Sequence, residues 1–344
     1  MSAPVLIRQE GALGRVHLNR PEALNSLTLE MVKLIDAGLD RLEADPTVEA
    51  IALTGEGERA LCAGGDIKML WSSGRSNPAE AMAFWSAEYR LNARIHRLQK
   101  PWLAVMDGIC MGGGVGLSVH GSHRIVTERT RFAMPETGIG YFPDVGGTWA
   151  LAQAPRGLGF WIGLTGATVG AADVLAAGLA DALVPSGAIA GLLADLAAGL
   201  PVGEAIARHA VEAGPSKLAG HADLIERVFA SEDMAQILDG LRAETSDFAA
   251  ETLALLAAKS PTSLVLTLHL LHEAARSADL ETCLDRELAA DVSVLKGHDF
   301  YEGVRAAVID KDRAPKWAPA DLAAVDRGAV LADLRPQPSL FAPR

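Results

Sequence analysis

Residues 103–146 read LAVMDGICMGGGVGLSVHGSHRIVTERTRFAMPETGIGYFPDVG, and the fold turns on how this stretch is parsed. Leu103 to Met106 is a short apolar run between Pro101 and the Asp107-Gly108 turn signal, the length of one buried strand. Gly112, Gly113 and Gly114 follow without side chains, so the backbone there can approach a ligand, and Val115 to Val119 reads as the apolar start of a helix. A helix start presents unpaired N–H groups and the positive end of the helix dipole, which suits a developing oxyanion. Farther on, Pro135-Glu136 and Pro143-Asp144 place two carboxylates on proline-stiffened turns. A glycine run alone is most often a tight turn. The dinucleotide fingerprint G-x-G-x-x-G breaks at Leu117, and no G-x-x-x-x-G-K-[ST] occurs, so nucleotide-phosphate cradles are disfavoured.

Outward from this stretch, strand and helix signals alternate. Val5 to Gln9 and Arg15 to Leu18 read as a hairpin around Glu10-Gly11 and Gly14. Thr28 is a candidate N-cap for a helix carrying Leu29, Val32, Ile35, Leu39 and Leu42, with Pro46 beyond its end. Ala50 to Thr54 reads as a strand, Ala79 to Gln99 as a helix, and Arg124 to Thr127 as a further strand. This alternation predicts an α/β layered fold. From Leu158 the pattern becomes helical, alanine dominates 171–198, and the composition shifts near Pro201. Residues 1–200 are therefore expected to form the core that carries the site, and 201–344 a mainly helical region in which Ser260 starts a long helix.

The chain has 344 residues, half of them apolar, which is enough for a sizeable core. A net charge of −12 argues against nucleic acid and against an anionic membrane as partners, leaving a small molecule. No window holds the roughly 18 uninterrupted apolar residues of a membrane helix. The N-terminus has neither signal-peptide nor transit-peptide character, so a cytoplasmic location is expected. Cys62, Cys110 and Cys283 lack C-x-x-C spacing, which suggests neither a disulfide framework nor a zinc knuckle. His269 and His272 share a helix, yet no third ligand stands at metal spacing, and no metal is assigned. There is no G-x-S-x-G elbow, Cys110 reads as a buried small hydrophobe, and His120 as a core histidine.

The segments MGGGVGLSVHG (111–121), FAMPETGIGYFPDVGG (132–147) and DFYEGVRAAVIDKDRAPKW (299–317) resemble the enoyl-CoA hydratase/isomerase (crotonase) superfamily, in particular its 3-hydroxyisobutyryl-CoA hydrolase branch. ALCAGGDI (60–67) looks like the superfamily's other oxyanion segment, and SPTS (260–263) like its late helix start. The resemblance implies a crotonase-like spiral of ββα units with a C-terminal helical region that caps the pocket. It also implies an acyl-CoA substrate with no separate cofactor, since CoA is part of the substrate. C-terminal helices often mediate oligomer contacts in the superfamily, so a homo-oligomer is an option that the sequence leaves open.

By the same resemblance, the backbone N–H groups of Gly65 and Gly113 form the oxyanion hole, each donor worth about 3 to 4 kcal/mol. Superfamily hydratases use two glutamates, the first two residues after the last glycine of the GGG. Here that residue is Gly116, while the second glutamate is retained as Glu136. A single carboxylate is poorly suited to the paired acid/base addition of water, but it can activate water toward the thioester carbonyl or attack it. Asp144 and Glu88 match further carboxylates of the hydrolase branch that contact substrate. Lys311 and Arg313 are weaker candidates for the CoA phosphates. The implied activity is hydrolysis of a short 3-hydroxyacyl-CoA, as in valine degradation. A hydratase or isomerase on the same fold, or a non-catalytic acyl-CoA-binding protein, are the alternatives.

Overall fold

The computed structural model describes residues 3–342, which fall into two compact units. The first takes the described residues up to Gly65 together with Ala87–Phe132 and Val169–Lys217; the second takes Asp66–Ser86, Ala133–Thr168 and the chain from Leu218 on. Residue 200 marks the change of composition, whereas each compact unit draws on three separate stretches.

The first unit carries both sheets. β1 (Val5–Glu10) and β2 (Leu13–Leu18) form the expected antiparallel hairpin, and β3 (Ala50–Gly55), β5 (Trp102–Met106), β7 (His123–Val126) and β9 (Ala182–Leu183) continue from β2 in parallel. The alternate strands β4 (Ala60–Cys62), β6 (Ile109–Met111) and β8 (Arg131–Ala133) form a second, three-stranded sheet. Successive strands therefore step from one sheet to the other, which is the repeated ββ step of the expected α/β spiral. β5 is buried along its whole length and β3 in all but its last residue, as apolar runs in a parallel sheet covered on both faces should be. Leu103 and Val105 pack with Leu192, Leu193 and Leu196 of the Ile189–Ala197 helix. Thr28 caps the Leu29–Ala44 helix as the sequence predicts, its side chain accepting from the Met31 N–H at 3.2 Å.

The second unit is mainly helical. Its Pro261–Ala275 helix packs against Gly147–Ala152 and Leu158–Thr165. Ser260 does three things at the head of that helix. Its hydroxyl oxygen accepts from the Ser263 N–H at 3.0 Å, its O–H donates to Asp299 at 2.6 Å, and its N–H donates to the Thr137 carbonyl at 3.1 Å. The cap thereby ties the helix to the turn that follows Glu136. Among the described residues no single helix is long and apolar enough to cross a membrane. Ser260→Ala removes the cap and strips a partner from the buried Asp299 carboxylate. It should cost about 2 kcal/mol, read as a lower urea midpoint at unchanged slope. A loss under about 0.5 kcal/mol would show that the cap is dispensable.

Candidate active site

The predicted oxyanion donors lie in the first unit. After β4 the chain turns through Gly64 at φ 108°, a backbone state open to glycine. The Leu27 N–H donates to the Gly64 carbonyl at 2.8 Å, which fixes the turn and the position of Gly65. β6 runs into Gly112 and then the Gly113–Val119 helix. Each glycine of the run answers a different demand. Gly112 adopts φ 49°, a Cβ on Gly114 would collide with the Cys62 carbonyl, and a Cβ on Gly113 would collide with Glu88 Oε1. The same Gly113 Cβ would stand 3.4 Å from the Gly65 nitrogen and 3.1 Å from Leu27 Cδ1. Gly65, Gly113 and the Glu88 carboxylate are thus neighbours, and the Gly113 N–H is a first-turn donor with no acceptor inside its own helix.

Glu88 is 2% exposed on the Pro78–Arg97 helix and is therefore no solvated helix acid. Nearby Cys62 and Cys110 are free and buried. Burial drives the Cys62 thiol far up and the Cys110 thiol to about 12, so neither supplies a thiolate nucleophile. His120 is buried and edge-on to His96, as a core histidine should be.

The predicted acids Glu136 and Asp144 lie in the second unit. Pro135 leads into a single turn, Glu136–Ile139, closed by the Tyr141 N–H on the Glu136 carbonyl at 3.0 Å. The Asp299–Val304 helix seats directly on that turn. A Cβ at Gly140 would strike the Asp299 backbone, and one at Gly303 the Ile139 backbone. That contact explains structurally why the DFYEG segment accompanies the MPETGIG segment. Glu136 is 7% exposed, and its Oε2 accepts no hydrogen bond among the described residues. Burial, and then the neighbouring Asp144, hold its carboxyl well above the ordinary carboxylate range; its own N–H and Lys259 oppose the rise. Burial in turn lowers the Lys259 ammonium.

Asp144 is 6% exposed, and the Tyr141 hydroxyl reaches its Oδ2 at 3.2 Å and also bonds Asp291. The loop after Asp144 is held by Glu287, which accepts from the Gly146 N–H at 2.7 Å, from the Thr148 N–H at 3.2 Å, and from the Thr148 hydroxyl. Burial pushes the Glu287 carboxyl up to about 8; the Thr148 hydroxyl and the Gly146 amide oppose this, and Asp144 adds to it. The structure therefore groups the predicted Gly65, Gly113 and Glu88 in one unit and Glu136 with Asp144 in the other. Sequence reasoning missed Glu287, Asp291, Tyr141 and Lys259. A signal was present for two of them, since Glu287 and Asp291 continue the buried stripe Leu280, Cys283, Leu284 and Leu288 on one helix. Lys311 and Arg313 are exposed. His272 faces the Phe160 ring and the Ser231 carbonyl, contacts that suit a packing role.

Residues 13–333 match the enoyl-CoA hydratase/isomerase family. The chain belongs to that family. A Bos taurus relative named 3-hydroxyisobutyryl-CoA hydrolase, mitochondrial, is 43% identical over 93% of this chain and 86% of its own length. The Homo sapiens protein of the same name is 42% identical over 92% and 85%. Among solved structures, a carnitinyl-CoA dehydratase from Mycobacterium thermoresistibile is 43% identical with a TM-score of 0.95, covering 99% of both chains. An enoyl-CoA hydratase from Rhodobacter sphaeroides is 43% identical with a TM-score of 0.90, covering 97% and 98%. The ββα spiral with a helical C-terminal region is thus the fold of this enoyl-CoA hydratase/isomerase family member. The curated relatives are named as mitochondrial, and the cytoplasmic expectation is not carried further.

The Gly113 geometry yields a direct test of the donor half. Gly113→Ala places a methyl against Glu88 Oε1 beside the Gly65 amide, and should lower kcat/KM for a CoA thioester by about a hundredfold while the fold persists by circular dichroism. An alanine variant with full activity would remove Gly113 from the oxyanion hole.

Proposed function

We propose that this enzyme hydrolyses a short 3-hydroxyacyl-CoA thioester, with 3-hydroxyisobutyryl-CoA as the preferred substrate in valine breakdown, and needs no cofactor beyond the CoA of the substrate. The observation that carries the reading is the pairing of Gly116, where the family's hydratases place their first glutamate, with a buried Glu136 whose Oε2 is uncommitted among the described residues. The names of the curated relatives support it.

In this reading the thioester oxygen accepts from the Gly65 and Gly113 N–H groups, which take up the negative charge as the carbonyl carbon becomes tetrahedral. Glu136 removes a proton from water as the hydroxyl adds to that carbon; collapse breaks the C–S bond, and the departing thiolate takes up a proton. Direct attack by Glu136, giving an anhydride that water then opens, uses the same residues. The two routes separate in ¹⁸O-water, because the anhydride route alone can place label in Glu136 during a single turnover. Asp144 assists proton transfer or holds the 3-hydroxyl, and Glu88 contacts the substrate.

The titles of the two solved structures favour a second reading, dehydration or hydration across the α,β bond. Thiol release from 3-hydroxyisobutyryl-CoA and water addition to crotonyl-CoA, measured side by side, decide between them. Thiol release should dominate; hydration at the higher rate would overturn the hydrolase reading, and tight binding with neither reaction would leave an acyl-CoA-binding protein.

Because Glu136 acts without its proton and its carboxyl is held above the ordinary range, kcat/KM should still be climbing with pH above the range in which an ordinary carboxylate has finished ionising. The stability linkage has the opposite slope. A carboxyl raised on folding contributes stability below its unfolded pKa that is lost as pH rises through the folded value. Glu136→Gln, which cannot ionise, should therefore lower kcat by about a thousandfold yet melt no lower than the native enzyme at pH 8. Near-native turnover by this variant would exclude Glu136 from the chemistry.

A further inference from the structure

Asp144 sits at the head of a distorted turn. Val145 follows it with φ 56°, a rare state for a β-branched residue, and Gly146 continues at φ 72° before the Gly147–Ala152 helix begins. Such a backbone persists where its surroundings over-determine it. Here the Gly147 N–H closes the turn on the Asp144 carbonyl at 2.7 Å, and one distant side chain grips the donors beyond it. Glu287 lies fully buried on the Leu280–Val294 helix and accepts from the Gly146 N–H, the Thr148 N–H and the Thr148 hydroxyl, the donors immediately beyond the left-handed pair. The Gly147–Ala152 helix itself has no side-chain cap from its own N-cap residue, so Glu287, 141 residues away from Gly146, supplies the acceptors. A carboxylate in a dry interior is costly, and it stands close enough to Asp144 for the two charges to repel. Donors reach both of its oxygens, an arrangement that a carboxyl can serve and an amide or hydroxyl cannot.

We propose that Glu287 is a positioning residue for the reaction: by gripping the Gly146 and Thr148 donors it locks the left-handed Val145-Gly146 turn that aims the Asp144 carboxylate. Glu287 does not touch the substrate in this scheme and acts only through Asp144. The inference rests on the assignment of Asp144 to the site.

A double-mutant cycle on the full-length enzyme tests it, with thiol release from 3-hydroxyisobutyryl-CoA as the readout. Glu287→Gln keeps the shape but turns one acceptor oxygen into an NH₂ donor that faces a backbone N–H. It should lower kcat about thirtyfold and leave KM within about threefold. In an Asp144→Asn background the same substitution should change kcat by less than about threefold, because the group it positions is already gone. An equal loss in both backgrounds, or no loss in the native background, overturns the proposal. Full activity of Asp144→Asn alone would instead sink the assignment of Asp144, and the inference with it, so the two failures are told apart. If Glu287→Gln does not fold, Thr148→Val removes a single hydroxyl donor and decides the matter. A several-fold kcat loss seen only when Asp144 is present supports the role, and no loss or a loss independent of Asp144 refutes it.

Discussion

Glu136, Asp144, Glu287 and Asp291 are among the carboxyl groups in the interior of the second unit, each less than a tenth exposed. Burial penalises each charge, and mutual repulsion adds to the penalty; Asp144 raises both Glu136 and Glu287. The compensations are specific and local. Glu287 collects two backbone N–H groups and a hydroxyl, Asp144 and Asp291 share the Tyr141 hydroxyl, and Glu136 has its own N–H and the partly desolvated Lys259. These compensations dictate the backbone around them. The Val145-Gly146 turn, the Gly140 contact with Asp299 and the Ser260 cap all keep this acid cluster in one arrangement. Glu136 Oε2 accepts no hydrogen bond among the described residues, and a buried carboxylate oxygen left that way is a candidate for chemistry.

The donor half obeys a different constraint, one of volume. Gly113 and Gly114 stand where any side chain would meet Glu88 or the Cys62 carbonyl, and Gly112 takes a left-handed backbone. Such demands show in sequence as glycines in a row, which is why this segment could be read before any coordinates. β3 and β5 of the larger sheet were equally legible, because burial on both faces demands uninterrupted apolar runs such as Leu103 to Met106, whereas the two-residue β9 was not. Thr28 and Ser260 were legible as caps because their chemistry is local.

What escaped the sequence reading was non-local. β4, β6 and β8 have three residues each, too few to show a period, and they exist only by pairing with one another. Glu287 and Asp291 look like ordinary helix acids until they are placed on the stripe that Leu280, Leu284 and Leu288 bury. Their partners Gly146, Thr148 and Tyr141 lie 139 to 150 residues away in the chain. Tyr141 has no role that its own motif reveals, since a phenol between two carboxylates is defined by the carboxylates.

The relatives divide by name at nearly the same identity, 43% to a dehydratase and to a hydratase of known structure and 43% to a curated hydrolase. Overall similarity therefore does not choose between reactions, and the choice passes to single positions. Gly116 lies one turn beyond Gly113 on the same short helix. With glycine at 116 that turn carries no acid, and the Glu88 carboxylate stands against Gly113 itself. Addition of water across a double bond requires one acid at the α-carbon and another over the β-carbon, whereas hydrolysis of a thioester requires charge acceptance at one oxygen and one base. Glycine at 116 therefore counts against addition, and hydrolysis, the reaction we propose, is the one that a single carboxylate can serve.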